Sequence, residues 1–265
     1  MSSAFQVSLG FFTRPWRGYT VEEAVVGIAA SGAKLIGYMP QPGIPLVSRD
    51  STVEEIDALR TLVARHGLEP AVYLPRVPLS LPDAEYLAAW DREIAVAVRL
   101  GTPYLQVGGT NDETQYGRYV TLMQQAAERA ARHGRTIVLK PHGGISATAA
   151  DCLRVVQQVG HSAFRITYDP GNVIYYTGTD PLVGLDALAP YVVALCIKDA
   201  TGGRHGSVNV QPGRGDVDFA RLFAILREAG FRGPALVETL AEGGLDEINH
   251  QARETIEYLR PLVDG

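Results

Sequence analysis

The chain has little cysteine: its 265 residues include only Cys152 and Cys196. The two lie far apart in the sequence and form no C-x-x-C pair, which excludes a disulfide framework and a structural zinc cluster built from cysteines. No run of about eighteen uncharged apolar residues occurs, which argues against a transmembrane helix. The first residues also lack the basic start, apolar middle and small-residue cleavage site of a secretion signal. We therefore expect a cytoplasmic protein that does not bind membranes.

Positive charge is also scarce. Lysine and arginine total 24 against 29 aspartates and glutamates, the formal net charge is -5, and the arginines are scattered along the chain. A nucleic-acid binder is expected to carry a basic patch or stripe, and none is visible here. The composition predicts a small-molecule partner and no nucleic acid.

What the sequence does contain is a repeated unit: a short apolar run, a polar or Gly/Pro-rich stretch, and an amphipathic helical pattern that ends at glycine. The first helical pattern has Thr20 as its N-cap, Glu23 three residues later, and Gly32 just past its end, which is the chemistry of a capping box and a helix C-terminus. The second repeats it with Thr52 and Glu55. Such a unit is typical of a βα repeat.

Eight apolar runs between the helical patterns predict strands. Most are continuous rather than alternating, as expected for parallel strands covered on both faces. In order they are FQVSLG, AKLIGY, EPAVYL, PYLQVG, TIVLK, FRITYD, VVALCIK and PALVE. Eight such units predict an α/β protein with a single (β/α)8 TIM barrel domain over residues 1–265. An open doubly wound sheet would want a G-x-G-x-x-G turn after the first strand, and GFFTRPWRG offers none. The sixth helical pattern, GTDPLVGLDALAPY, is the weakest.

The predicted strand ends carry the chemistry. In a parallel barrel the active site lies at the C-terminal ends of the strands, so polar residues just after each apolar run should meet at one mouth. The fifth to eighth strands place an amine, an imidazole, an amide, a thiol and carboxylates there: Lys140, His142, Asp169, Asn172, Cys196, Lys198 and Glu238. Buried charges of both signs are costly unless they are paired or used.

Each of these positions also has a structural reading. Lys140 at a strand end is compatible with a solvated lysine or with an ion pair to Glu238 that serves structure alone. Cys196, inside an apolar run, is typical of a small core residue. His142 precedes two glycines at the predicted active face, which favours a role in the site.

Two loops add candidates for substrate binding. Phe12 and Trp16 follow the first strand and fit either an aromatic wall or core packing. The glycine-rich segment after the seventh strand suits a mobile loop that carries Arg204 and His205 over the mouth.

Five segments of the second half resemble the xylose isomerase-like TIM barrels: LKPHGG, YDPGNVIYYTGTDP, CIKDATGGR, PGRGDVDF and LVETL. That superfamily comprises sugar and sugar-phosphate isomerases and epimerases and includes ketose 3-epimerases and inosose dehydratases. The resemblance implies proton transfer at the carbon next to a carbonyl of a carbohydrate-like substrate. It gives Glu238 the role of a base, and Lys140 the role of its partner or of an oxyanion stabiliser. It also places Asn172 where relatives carry a histidine near the substrate. Asn172 and Lys198 are therefore further candidates for substrate binding.

The resemblance also implies a divalent metal held by Glu, Asp, His and Glu after the fifth to eighth strands. Asp169 and Glu238 match that pattern, whereas Lys140 stands in place of the first Glu and Cys196 in place of the His. One outcome is that the Lys140 ammonium occupies the place of the metal. The other, which we favour, is a rearranged site in which His142 and Cys196 join the two carboxylates; Mn²⁺, Zn²⁺, Mg²⁺ or Co²⁺ are candidates, and a thiolate and an imidazole favour Zn²⁺.

Two other functions remain open at this stage. A lyase or dehydratase acting on a keto-sugar or glycoside would begin with the same proton abstraction and continue with β-elimination. A sugar-binding barrel without chemistry would also account for the substitutions at Lys140 and Cys196. By analogy with related barrels we expect a homodimer.

Overall fold

Eight parallel strands close into a barrel in chain order, so the predicted (β/α)8 fold is confirmed. A computed structural model describes residues 7–40 and 47–264. The barrel closes where the first strand pairs with the eighth, with Gly10 opposite Leu236. The strands are β1 (Ser8–Phe12), β2 (Leu35–Tyr38), β3 (Glu69–Tyr73), β4 (Tyr104–Val107), β5 (Thr136–Leu139), β6 (Phe164–Tyr168), β7 (Val192–Ile197) and β8 (Pro234–Val237).

Helices between the strands form the outer layer. The predicted capping boxes are present: Thr20 accepts from the backbone N–H of Glu23, and Thr52 accepts from that of Glu55. These contacts satisfy donors that the first helical turn leaves unpaired. In the described residues the helices are α1 (Val21–Ala30), α2 (Val53–Arg65), α3 (Asp83–Leu100), α4 (Tyr116–Arg132), α5 (Ala149–Val159), α6 (Pro170–Thr177), α7 (Leu185–Leu188), α8 (Phe219–Glu228) and α9 (Leu245–Asp264).

Two predicted elements are displaced. β1 ends at Phe12, two residues beyond the FQVSLG run, whose first two residues lie outside the described part of the chain. In the sixth unit, α6 begins directly after β6, because Asp169 caps it and Pro170 occupies its first position. A proline there is favourable, since the first N–H of a helix has no intrahelical partner. Within the segment predicted for that unit, the short α7 forms, followed by a 3₁₀ helix at Ala189–Tyr191.

The barrel core is apolar except at one end. Most of its buried charged residues lie at or just beyond the C-terminal ends of β5 to β8, namely Lys140, Asp169, Lys198, Asp199 and Glu238. The fold therefore concentrates its buried charge at the predicted active face. No helix among the described residues is both long and apolar enough to cross a membrane.

Two glycine substitutions test the packing. A Cβ on Gly10 would lie 2.4 Å from the carbonyl oxygen of Leu35, whereas a Cβ on the exposed helical Gly117 would meet nothing within 4 Å. We expect Gly10→Ala to lower the free energy of unfolding by about 1–3 kcal/mol through overpacking. Gly117→Ala should raise it by about 0.5 kcal/mol because it restricts the unfolded chain. Urea unfolding measures both, and equal effects of the two variants would contradict the packing described.

Candidate active site

Two ammonium groups and two carboxylates meet at the centre of the barrel mouth. Lys140 directly follows β5, Asp169 follows β6, Lys198 follows β7 and Glu238 follows β8. Because the four strands are parallel neighbours, their C-terminal ends bring these side chains together. All four are buried. We call these four residues the charge cluster.

Positive and negative groups alternate around the charge cluster. The Lys140 Nζ lies 2.9 Å from Asp169 Oδ2 and contacts Glu238 Oε2. The Lys198 Nζ lies 3.3 Å from the same Asp169 oxygen and 2.6 Å from Glu238 Oε1. Each ammonium group therefore bridges both carboxylates.

Three further side chains complete the surroundings of the charge cluster. Arg14 donates to Glu238 Oε1 at 2.5 Å, and the Cys196 thiol donates to Glu238 Oε2 at 2.8 Å. Asn172 accepts from Lys198 at 2.9 Å and donates to a backbone carbonyl at 2.7 Å. The sequence analysis missed Arg14, which lies in a short 3₁₀ helix after β1 between two aromatic residues that it did consider.

Lys140 and Glu238 are held in their ionised forms. Burial alone would lower the pKa of Lys140, but the adjacent carboxylates outweigh burial and hold that pKa well above its usual range. Burial alone would raise the pKa of Glu238, but Lys140, Lys198 and Arg14 hold it well below its usual range. Burial, together with the two carboxylates, raises the pKa of the Cys196 thiol, so this group stays protonated.

A cavity of about 660 Å³ opens above the charge cluster. Arg14, Lys140, His142 and Glu238 line it, together with the strand residue Gln106 and the loops after β3 and β4. Monosaccharide-sized ligands bind in clefts of this order of size. Arg14 and Glu238 also line a second, smaller cavity of about 280 Å³, so these two side chains separate the two spaces.

His142 lies on the cavity wall. The Tyr176 hydroxyl lies 3.2 Å from both of its ring nitrogens, and the two ring centroids are 5.0 Å apart. Partial burial and the positive charges of Lys140 and Lys198 lower the pKa of His142, which leaves the imidazole neutral at neutral pH. The other three candidate ligands, Asp169, Cys196 and Glu238, form a group that does not include His142, and the metal role of His142 stays a prediction.

The predicted aromatic wall is absent from the cavity. Phe12 is fully buried in the barrel interior, where it packs with Cys196 and Leu236. Trp16 is also fully buried, donates its indole N–H to Asn249 at 2.9 Å and packs against Phe11. Both side chains serve packing, the second of the two roles that the sequence allowed.

The loop after β7 lies beside α6. Thr201 and Ser207 pair across it, and the His205 N–H donates to the carbonyl of Tyr175 at 2.8 Å. Neither Arg204 nor His205 lines the two cavities described above. These contacts fix the loop beside α6, and its position over the mouth stays a prediction. Lys198 and Asn172, the other predicted substrate contacts, belong to the buried surroundings of the charge cluster.

The residues present do not fit a divalent metal. Ligand atoms of Asp169, Cys196 and Glu238 all lie within 4.8 Å of one another, which is a grouping that could hold an ion. The carboxylate oxygens, however, already face the ammonium groups of Lys140 and Lys198, and Cys196 carries a proton. A dication placed there would be repelled by both ammonium groups and would need a deprotonated thiol.

Comparison with known proteins agrees with the fold. The sequence profile of a family described as xylose isomerase-like TIM barrel matches residues 26–262. The L-ribulose-5-phosphate 3-epimerase UlaE of Salmonella typhi is 27% identical over an alignment of 213 residues, with 74% of this chain and 74% of the relative covered.

Two solved structures illustrate the structural similarity. D-psicose 3-epimerase from Clostridium cellulolyticum H10, solved with D-tagatose, superposes with a TM-score of 0.78 at 14% identity and covers 98% of this chain and 100% of its own. A xylose isomerase-like TIM barrel protein from Mycobacterium smegmatis in complex with magnesium superposes with a TM-score of 0.78 at 16% identity, over 99% and 100%. At these identities the likeness shows the fold alone.

Acid should destabilise the protein through Glu238. The folded pKa of this carboxyl lies well below its ordinary value of 4.5, to which it returns on unfolding. Its contribution to the free energy of unfolding is therefore complete above about pH 4.5 and is lost as the pH falls through the folded pKa. At pH values below about 4.5, we expect the urea concentration at the unfolding midpoint of the wild-type protein to decrease as the pH is lowered. The decrease should be smaller in Glu238→Gln. Parallel curves for the two proteins would contradict the ion pairing.

Both cysteines should be unreactive in the folded protein. Cys152 and Cys196 are free and buried, and burial raises the pKa of each thiol. Because the thiolate is the reactive form, a disulfide reagent at mildly alkaline pH should modify neither residue until urea unfolds the chain. Rapid labelling of Cys196 in the native protein would show an accessible thiolate and contradict the assignment.

Proposed function

Because this chain belongs to the xylose isomerase-like TIM barrel family, we propose that it isomerises or epimerises a carbohydrate-like substrate by moving a proton at the carbon next to a carbonyl. The family includes sugar epimerases among the relatives compared above. The single observation that carries the proposal for this chain is the protonated Lys140 in the floor of the cavity, held by two carboxylates.

Lys140 is the group that would stabilise the developing oxyanion. An ammonium group has three N–H donors. The Nζ of Lys140 contacts two acceptors, Asp169 and Glu238, and among the described residues no third acceptor contacts it. The remaining donor is free for a substrate oxygen in the cavity. A fixed donor aimed at an oxygen that becomes an enediolate stabilises the transition state more than the ground state. The raised pKa of Lys140 thus favours the oxyanion role over that of a base.

His142 is the group that would accept the proton. Glu238, the base implied by the family resemblance, already receives four donors, from Arg14, Lys198, Lys140 and Cys196. Its low pKa makes it a weak proton acceptor, and its contacts support a different role, which is to hold the ammonium groups. The neutral imidazole of His142 lines the same cavity and has room for a substrate. Tyr176 would position the ring through its hydroxyl contact.

The charge of the cavity favours a substrate that carries an anionic group. Arg14, Arg76 and Lys140 line it, against the carboxylate of Glu238. No carboxylate among the described residues pairs with the Arg76 guanidinium, which donates to the carbonyl of Pro40 at 2.9 Å. L-ribulose 5-phosphate, the substrate named for the Salmonella relative, is therefore the first compound to test, with D-allulose as a neutral comparison.

Uptake of solvent deuterium at the substrate carbon tests the proposal. The wild-type protein in heavy water should incorporate deuterium into at least one of the two sugars with the product mass otherwise unchanged. His142→Gln should slow uptake by about 10²–10⁴-fold, because it removes the proton acceptor. Lys140→Met should slow it by about 10²–10³-fold, because it removes the oxyanion donor.

Lys34→Met is the matched control, since Lys34 is exposed and lies just before β2, at the opposite end of the barrel. It should keep the wild-type rate. Full uptake in both His142→Gln and Lys140→Met would contradict the mechanism. A product that has lost a β-substituent would identify the protein as a lyase instead. Binding of a sugar without deuterium uptake would identify it as a binding protein.

A further inference from the structure

We infer that Lys140 and Lys198 together take the place that a divalent cation would have between Asp169 and Glu238, so that this site works without a metal. The inference extends the proposed function, since it says what replaces the ion in stabilising a substrate oxyanion. The inference is tested by metal binding, which does not depend on turnover. Failure of the inference and failure of the proposed function can therefore be told apart.

The geometry of the charge cluster is the first support. Both ammonium nitrogens lie within 3.3 Å of the same Asp169 oxygen, and each faces a different oxygen of Glu238. These are the two carboxylates that match the family's metal-binding positions. Two ammonium charges also equal the charge of one divalent ion. The pair therefore neutralises Asp169 and Glu238 as a dication would.

The use of lysine in this chain is the second support. The sequence contains three lysines and 21 arginines. One lysine, Lys34, is exposed, and the other two are buried side by side in the charge cluster. Arginine is thus the ordinary cation of this protein, and lysine is kept where a compact charge must fit between two carboxylates. A planar guanidinium has a different shape and five donors to satisfy.

The two lysines differ in their contacts and therefore in the roles that we infer for them. Lys198 donates hydrogen bonds to Glu238 and Asn172, and its Nζ also lies 3.3 Å from Asp169 Oδ2 as an ion pair. It therefore positions the carboxylates and does not line the main cavity. Lys140 faces only Asp169 and Glu238 and lines the cavity, which leaves it a donor for substrate. A bound metal ion likewise uses some positions for protein ligands and leaves another for the substrate oxygen.

The charge balance around these groups is the third support. Arg14 joins the two lysines, so three cations face two carboxylates. One net positive charge remains at the floor of the cavity. Such a site attracts an oxyanion and repels an added dication.

Calorimetric titration of the purified protein with Mn²⁺, Mg²⁺ and Zn²⁺ tests the inference. The wild-type protein, treated with a chelator and dialysed, should bind none of them at the charge cluster. Lys140→Glu replaces the repelling cation by a carboxylate beside Asp169 and Glu238. It should bind Mn²⁺ at least about 100-fold more tightly than the wild-type protein. Lys34→Glu makes the same change of net charge on the outer surface and should leave Mn²⁺ binding unchanged.

The outcomes separate clearly. Stoichiometric binding of a metal by the wild-type protein, abolished by Asp169→Asn, would overturn the inference. A folded Lys140→Glu variant that binds no Mn²⁺ would also overturn it, since Lys140 would then not be what excludes the ion. If Lys140→Glu does not fold, Lys140→Gln serves in its place, with a smaller gain expected because it removes one charge without adding another.

Discussion

The contact of Lys140 and Lys198 with Asp169 and Glu238 is the interaction on which the chemistry of this protein depends. Four buried charges at the end of a barrel are tolerable only when each has opposite partners within hydrogen-bonding distance. Removing either carboxylate would leave uncompensated positive charge in a buried site. The ion pairs therefore hold the four side chains of the charge cluster in place. They also fix the position of the charged groups at the floor of the cavity before a substrate binds.

Preorganisation of this kind is what catalysis near a carbonyl requires. The charge that develops on a substrate oxygen during proton transfer must find a donor already in position, because reorganising a solvent shell raises the barrier. Lys140 meets this condition through its two carboxylate contacts. In the magnesium-bound relative the fold is the same, at 16% identity. A shared barrel architecture does not by itself determine the chemistry at its mouth.

Much of the fold and of the site's composition could be predicted from the sequence. Continuous apolar runs and capping boxes gave the eight strands and the first helices, and the rule that parallel strands end on one face brought Lys140, Asp169, Lys198 and Glu238 together. Local patterns do not encode the balance between burial and charge at Lys140, because the direction of its pKa shift depends on two carboxylates that other strands supply. Arg14 was missed since a short 3₁₀ helix, rather than a strand end, carries it to Glu238. The same limit applies to Phe12, whose place in the barrel interior depends on where β1 ends.

The protonation state of Lys140 tests the central claim most directly. With three lysines in the chain, isotopic labelling of lysine side chains yields three sets of NMR signals, and single Lys→Arg variants assign them. The account predicts that the Lys140 signal stays that of a charged ammonium group when the pH passes about 10.4, where an ordinary lysine is half titrated. A Lys140 that is neutral at neutral pH would contradict the account, because the carboxylates would then not be holding a cation in the floor of the cavity.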